Sequence, residues 1–353
     1  MWRRIANIAL VVTIWAAIAA YVVYSATLVR RHKQEQNIER LAVEIEDSTA
    51  AGQLITSQRV REMLLEQGIA TINTNVGSVD KIAIKELICN EGFVDHVGIY
   101  TTYNGTLHIR ISQRKPLFRL VTEGYNCYIT ADGYIFGAPD HAALHTPVVS
   151  GVYRPIFKPD FEGDMRVALA ALMAEAEDSV RIVGRATAPV LERQEHWLSR
   201  RKAVRDSTIT ERGERRRLYR YIDGHLRDCK RELQAIAAQQ SAIRQRAEVT
   251  RQRYNELREL IAFISTIESD RFWRSEIVQI VASTTSYGSL SLTLIPRSGD
   301  HRIEFGTLAD SERKMTKLRA FYDKVMPTCG WDSYKSVNLN FADRIVCTYR
   351  TAN

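Results

Sequence analysis

Cysteine is scarce in this chain. Five occur in 353 residues, at 89, 127, 229, 329 and 347, odd in number, widely spaced and without a CxxC pair. That pattern excludes a disulfide framework and a zinc finger. Cys89 and Cys347 fall in apolar patterns and are expected to be ordinary buried thiols. Catalytic signatures are also missing. No GxSxG, HExxH or phosphate-cradling glycine loop occurs, and Gly163-Asp164 precedes a helix without any cluster of glycines. His141 and His145 stand at i, i+4, but Pro139 and Pro147 bracket them and no carboxylate is suitably placed. The expectation is no metal and no cofactor, and the missing motifs count against an enzyme without excluding one assembled from distant residues. After His32 there is no second apolar stretch of membrane-spanning length, so everything downstream is expected on one side of a bilayer.

Ile5 to Ala26 forms one uncharged, mostly apolar stretch of 22 residues. At about 1.5 Å per residue it spans a hydrocarbon layer roughly 30 Å thick. A cleaved signal peptide is the competing reading. The stretch is longer than the usual h-region, and Tyr24-Ser25-Ala26 fits a cleavage site poorly. Trp2, Tyr21 and Tyr24 sit near its ends, where interfacial rings belong. An uncleaved single-pass anchor is expected over 5–26, after a short N-terminus over 1–4 and before a linker over 27–38. The positive-inside rule is silent: Arg3, Arg4 and the terminal amine balance Arg30, Arg31 and Lys33.

The formal net charge of +8 is not evenly spread. Leu191 to Leu260 holds 18 Lys plus Arg against 11 Asp plus Glu, a net of +7. Such a block could meet nucleic acid, anionic lipid or an acidic protein, or be a solvated helical face. It lacks the interleaved aromatic pattern that stacking on bases requires, so nucleic acid is not expected.

Residues 39–116 read as a compact unit in the order β-α-α-β-β. Leu41, Val43 and Ile45 alternate as in a strand. Thr56 or Ser57 caps a helix bearing Val60, Met63 and Leu64 and ending at Gly68. Ser78 is expected to open a second helix with Ile82, Leu87 and Ile88. Two strands follow, Val94 to Tyr103 and Thr106 to Ser112, joined at Asn104-Gly105, whose residues favour the positive φ of a tight turn. Strand patterns continue over Phe118–Thr122, Cys127–Thr130, Tyr134–Phe136 and Thr146–Gly151. They then stop until about residue 288 and resume through Leu290, Leu292, Leu294, Ile303 and Phe305. A helix with Met315, Leu318, Tyr322 and Val325 on one face follows. A last strand is expected to place Val337, Leu339, Phe341, Ile345, Cys347 and Tyr349 on one face, broken only by Asp343.

Between these β-rich parts, Leu226, Cys229, Leu233, Ile236, Gln240, Ile243, Ala247, Thr250, Tyr254, Leu257, Ile261 and Ile264 keep a 3-4 spacing for about five and a half heptads, the pattern of a coiled-coil seam. Met165 to Val204 is also helical, with Pro189 expected to kink or restart it. A turn over Thr208–Gly213 then predicts an antiparallel helical hairpin, reaching about 60–75 Å at 1.5 Å per residue.

This order of elements resembles the FtsQ/DivIB family of bacterial division proteins, and its wording, with Gly330-Trp331 before the last strand, is most similar to the Bacteroidetes branch. Leu54 to Leu64 resembles the first helix of that family's POTRA domain, and Glu91-Gly92-Phe93-Val94-Asp95-His96-Val97 its turn into the second strand. Ile109 to Pro116 resembles the exit from POTRA, Tyr128 to Gly133 and Thr146 to Gly151 the next landmarks. Phe272-Trp273 with Ile277, Gln279 and Ile280, then Glu304-Phe305-Gly306 with Lys314, Lys317 and Leu318, resemble its second half. The resemblance implies an α+β protein: a transmembrane helix, a POTRA-like domain over 39–116, and an antiparallel β domain over 117–160 and 268–353, interrupted by an inserted coiled-coil hairpin over 161–267. It implies a cytoplasmic N-terminus with the bulk in the periplasm, at the inner membrane and the division septum. It also implies FtsB- and FtsL-like partners, bound by strand addition at the C-terminal β edge. The residues that match are Tyr334, Lys335, Val337, Leu339, Phe341, Asp343 and Tyr349. Val337 and Leu339 alternate as core residues do, whereas Asp343 is better explained by an edge facing a partner. The competing class is a membrane-fusion transport adaptor, which also joins one anchor, an α-hairpin and β-rich flanks. Such adaptors bracket the hairpin with two similar half-motifs, whereas Thr146–Gly151 and Phe272–Ile280 are dissimilar.

Overall fold

A computed structural model describes residues 13–25, 37–46, 52–69, 71–139, 143–285 and 288–350. Residues 13–25 are helical, and their side chains are almost all exposed, including Trp15, Tyr21 and Val23. Among the described residues no helix is long and apolar enough to cross a membrane. Residues 5–12 and 26 of the expected anchor, and His141, lie outside the described residues. The chain divides into two compact units, Met1–Pro116 with Phe136–Thr146, and Leu117–Ile135 with Pro147–Asn353.

The first unit carries β1 (Arg40–Glu46), α1 (Ser57–Glu66), α2 (Lys81–Cys89), β2 (Val94–Thr101) and β3 (Thr106–Gln113). Its three-stranded sheet runs β1-β3-β2, with β3 parallel to β1 and antiparallel to β2. Thr56 caps α1 by accepting from the Arg59 N–H, which satisfies a donor that the first turn leaves open. Gly105, at φ +74°, makes the tight turn between β2 and β3. Two expectations fail in detail. Asp80, not Ser78, caps α2, accepting from Ile82 and Ala83. Ile84 and Ile88 are the buried pair of α2, four residues apart and so on one face, while Ile82 is exposed.

In the second unit β4 (Pro116–Thr122), β5 (Tyr125–Thr130), β6 (Tyr134–Gly137), β7 (Val148–Gly151) and β8 (Gly163–Asp164) precede three helices. These are α3 (Met165–Arg185), α4 (Thr187–Asp206) and α5 (Arg212–Ser269). Then come α6 (Arg271–Glu276), β9 (Ile277–Thr284), β10 (Leu290–Pro296), β11 (Arg302–Gly306), α7 (Ser311–Lys324), α8 (Met326–Cys329), β12 (Tyr334–Asn338) and β13 (Val346–Tyr349). The ten strands hydrogen-bond in the order β13-β12-β11-β10-β9-β7-β4-β5-β6-β8. The sheet is mixed rather than antiparallel: β4 with β7, β7 with β9, and β11 with β12 run parallel. Long helical crossovers permit this, α3 to α6 ahead of β9 and α7 to α8 ahead of β12, since parallel neighbours need a dozen or more connecting residues. Central β9 was not legible as a strand: Ile-Val-Gln-Ile-Val-Ala is a short apolar run with no period-2 signal.

The α3–α4 break falls at Ala186, three residues before Pro189. Pro189 has no N–H to give the Arg185 carbonyl, and its ring would collide there, so the first helix stops and the proline sits in the opening turn of the next. Together α3 and α4 run antiparallel to α5. Arg193 pairs with Glu232, Arg201 with Asp223, and Gln240 Nε2 donates to the Val180 carbonyl at 3.2 Å. Gly184 leaves room for that amide, since a Cβ there would lie 2.9 Å from Nε2. Trp197 stacks on His225 with ring centroids 4.1 Å apart, and Tyr221 meets both edge-on. Aromatic rings are thus present in the basic block, packed on one another across the hairpin. The turn spans Ser207 to Glu211 and is closed by the Arg215 guanidinium on the Ser207 and Ile209 carbonyls.

Every residue of the 3-4 series on α5 is half-buried or buried. Its character changes along the helix. From Cys229 to Thr250 one side chain per turn is covered, by α3 and α4. From Tyr254 onward Leu257, Leu260, Ile261, Phe263, Ile264 and Ile267 are all buried in the β core, with Phe263 and Phe305 rings 4.7 Å apart. The C-terminal turns of α5 therefore belong to the sheet domain. At roughly 1.5–3 kcal/mol per buried large aliphatic side chain, they contribute a substantial part of its stability.

Candidate functional site: the C-terminal sheet edge

The expected last strand is two strands. β12 lies between β11, in parallel register (Ile303 opposite Val337), and β13, antiparallel (Val337 opposite Cys347, Asn338 opposite Val346). Both its backbone edges are paired, so β12 cannot accept a partner strand. Tyr334, Val337 and Leu339 point into the core, the last two with no exposed surface. Lys335 is exposed on β12. Phe341 and Asp343 lie on neither strand; they sit in the connection from Leu339 to Ile345. Asp343 is the one break in the odd-numbered apolar row, and with Asn340 nearby it is the turn signal that the row concealed.

That connection is tied down by α7. Lys317 Nζ donates to the Phe341 carbonyl at 2.6 Å and the Ala342 carbonyl at 3.2 Å. Arg313 binds the Asp343 carboxylate at 2.5 Å, and the Arg344 guanidinium lies 5.2 Å from the Phe341 ring centroid. From the sheet side, Leu339 N–H reaches the Glu304 carbonyl at 3.0 Å and Asn338 Nδ2 the Glu304 carboxylate at 2.6 Å. Gly306, at φ +74°, admits Asn340 Oδ1 into the space that a Cβ would occupy. Asp343, expected to face a partner, is thus already paired within its own unit.

The open edge is β13. It ends the sheet order, and its outer side pairs with no strand among the described residues. Val346, Thr348 and Tyr349 are exposed and Cys347 is half-buried. Just beyond it, the Arg350 N–H donates to the Ser333 carbonyl at 3.0 Å. The Arg350 side chain holds the Asp300 carboxylate and carbonyl, each at 3.2 Å. Val346, Arg313 and Arg350 were missed by the sequence, and Lys317 was read only as a family landmark: their roles depend on which strand is last, a question of pairing rather than composition.

Behind this edge lies a buried polar group. His301 Nε2 is 2.8 Å from Tyr322 Oη, and Glu276 accepts from Ser298 Oγ and, at 3.3 Å, from the Ser298 N–H. Burial, then the nearby Arg350 charge, lowers the His301 pKa below its usual 6.5, so the ring is held neutral. Burial, reinforced by Glu276, raises that of Tyr322. Burial likewise pushes the Cys127 thiol up to about 12. All five cysteines are free; Cys127 and Cys229 are the buried ones, while Cys89 is exposed, contrary to its apolar surroundings in sequence. Among the described residues no His, Cys, Asp and Glu group could hold a metal ion.

The architecture, a β-α-α-β-β unit followed by a β domain ending in an open edge, has counterparts among known families. Residues 36–112 match a POTRA-like domain, and residues 235–348 match the C-terminal related domain of FtsQ/DivIB. No curated protein sequence matches the chain significantly. A POTRA-like domain joined to this C-terminal domain defines a class of cell-division protein. The chain belongs to it as an FtsQ/DivIB-type protein. Residues 113–234, with α3, α4 and the start of α5, lie outside both matches.

Proposed function

We propose that this chain is a non-enzymatic, membrane-anchored scaffold of the bacterial division machinery. Its role is to take a strand from an FtsB- or FtsL-type partner along β13, and so to help recruit and regulate septal peptidoglycan synthesis. The observation that carries the reading is the unpaired outer side of β13 in a domain of FtsQ/DivIB type. The opposite end of the sheet, β8, has only two residues and offers little to template a strand. Main-chain hydrogen bonds contribute roughly 0.5–1.5 kcal/mol each, and a four-residue edge supplies few of them. Side chains must add the rest, and the exposed Phe341, Val346 and Tyr349 are apolar groups beside that edge. Strand addition here needs no rearrangement of Tyr334, Val337 or Leu339, which support the edge from the core.

The anchor is supported by the exposed apolar side chains of residues 13–25, a helix surface that lipid covers better than water. In this reading the N-terminus is cytoplasmic and the rest lies in the periplasm, at the inner membrane and the septum. Co-purification with the FtsB-type partner tests the edge. Val346→Glu and Tyr349→Asp are expected to reduce recovery at least tenfold, with thermal midpoints within a few degrees of the parent. Retained partner in both variants excludes β13 as the site.

A further inference from the structure

The far end of the helical hairpin is strongly basic, and neither family match reaches it. Residues 200–220 hold nine Lys and Arg against three acidic residues. Some of these cations are spoken for: Arg201 pairs with Asp223, Arg205 with Asp206, and Arg215 closes the turn. Lys202, Arg212, Arg216, Arg217 and Arg220 are exposed and make no ion pair among the described residues. Arg212, Arg216 and Arg220 recur every four residues and so form a stripe along α5. Between α4 and α5 the surface is hollowed into a groove of about 460 Å³ lined by Leu198, Arg201, Lys202, Arg205 and Tyr219. Leu198 is 46 % exposed although it sits at the groove.

We infer that this groove is a docking site for an acidic amphipathic helix of a partner protein. An apolar side chain of that helix would enter over Leu198 and Tyr219, and its carboxylates would meet Lys202 and the α5 stripe. Charge complementarity selects the sign of the occupant, because a net surplus of six positive charges over 21 residues attracts anions and repels cations. The hollow beside Leu198 and Tyr219 selects its shape. A flat anionic bilayer would touch the cations but leave the groove unfilled. The turn that would reach a bilayer first carries Ile209 as its one large apolar residue, and that side chain is half-buried. An added helix lying beside α4 and α5 satisfies both features at once, in the manner of helix-in-groove recognition.

The test uses the full chain in nanodiscs of zwitterionic lipid. The probe is a synthetic helical peptide of about 20 residues, roughly 30 Å long, with Leu on one face and Glu flanking it. A scrambled peptide of the same composition is the control. Binding of the patterned peptide at least tenfold tighter than the scrambled one is expected. Lys202→Glu with Arg205→Glu, and separately Leu198→Asp, should each weaken it about tenfold or more, while the circular dichroism of the variants keeps its helical intensity. Equal binding of both peptides overturns the inference, since charge alone would then suffice. So does binding that is indifferent to Leu198→Asp. Loss of peptide binding when the nanodisc lipid is made anionic also overturns it, in favour of the bilayer as occupant.

Discussion

At the level of single side chains, the sheet edge rests on polar groups that burial has neutralised or paired. His301 is the one whose ordinary pKa lies near neutrality. The folded chain refuses a proton that the unfolded chain accepts near pH 6.5, because burial and Arg350 both disfavour imidazolium. Its contribution to stability is therefore full above that pH and is lost as pH falls through and below it. The thermal midpoint of the chain should drop between about pH 7.5 and about pH 5.5, and His301→Gln should flatten that dependence. An unchanged pH slope in the variant would show that other groups carry it. None of this was readable from His301 itself, which stands in a turn-rich segment. Phe341 and Asp343 are the opposite case: the family pattern pointed to them, yet α7 holds their backbone and carboxylate.

At the level of elements, α5 has two roles in one helix. Its 58 residues measure about 87 Å at 1.5 Å per residue, and the 3-4 spacing runs through without marking where hairpin gives way to core. The burial pattern marks it, at Tyr254. Excising residues 173–250 and joining the stubs with a short turn should leave a folded domain with a midpoint within several degrees of the parent. Excising Leu191 to Leu260 should give an aggregating product instead. It removes Leu257 and Leu260 from the core, at about 2–5 kcal/mol each by analogy with truncation to alanine. Calorimetry and size-exclusion chromatography distinguish the outcomes. Equal behaviour of the two deletions would mean that the end of α5 is not integral to the sheet.

At the level of the whole molecule, function depends on where the two units are held. A C-terminal reporter active only in the periplasm should be active on the full chain, and removal of residues 1–26 should shift the protein from the membrane to the soluble fraction. A reporter active only in the cytoplasm would remove the scaffold proposal while leaving both folded units intact. The family order was legible because turn chemistry, capping and landmark segments are local signals, and they recur at Thr56, Gly105 and Gly133.

By itself the sequence determined the β-α-α-β-β unit and the helical hairpin. Those features follow from apolar periodicity and turn residues, which act over a few neighbours. Only the tertiary structure decided that the sheet is mixed, that Ile277–Thr284 is a central strand, and that β13 rather than residue 341 forms the open edge. Strand pairing joins residues far apart in the chain, and alternation alone does not say which partner a strand will choose.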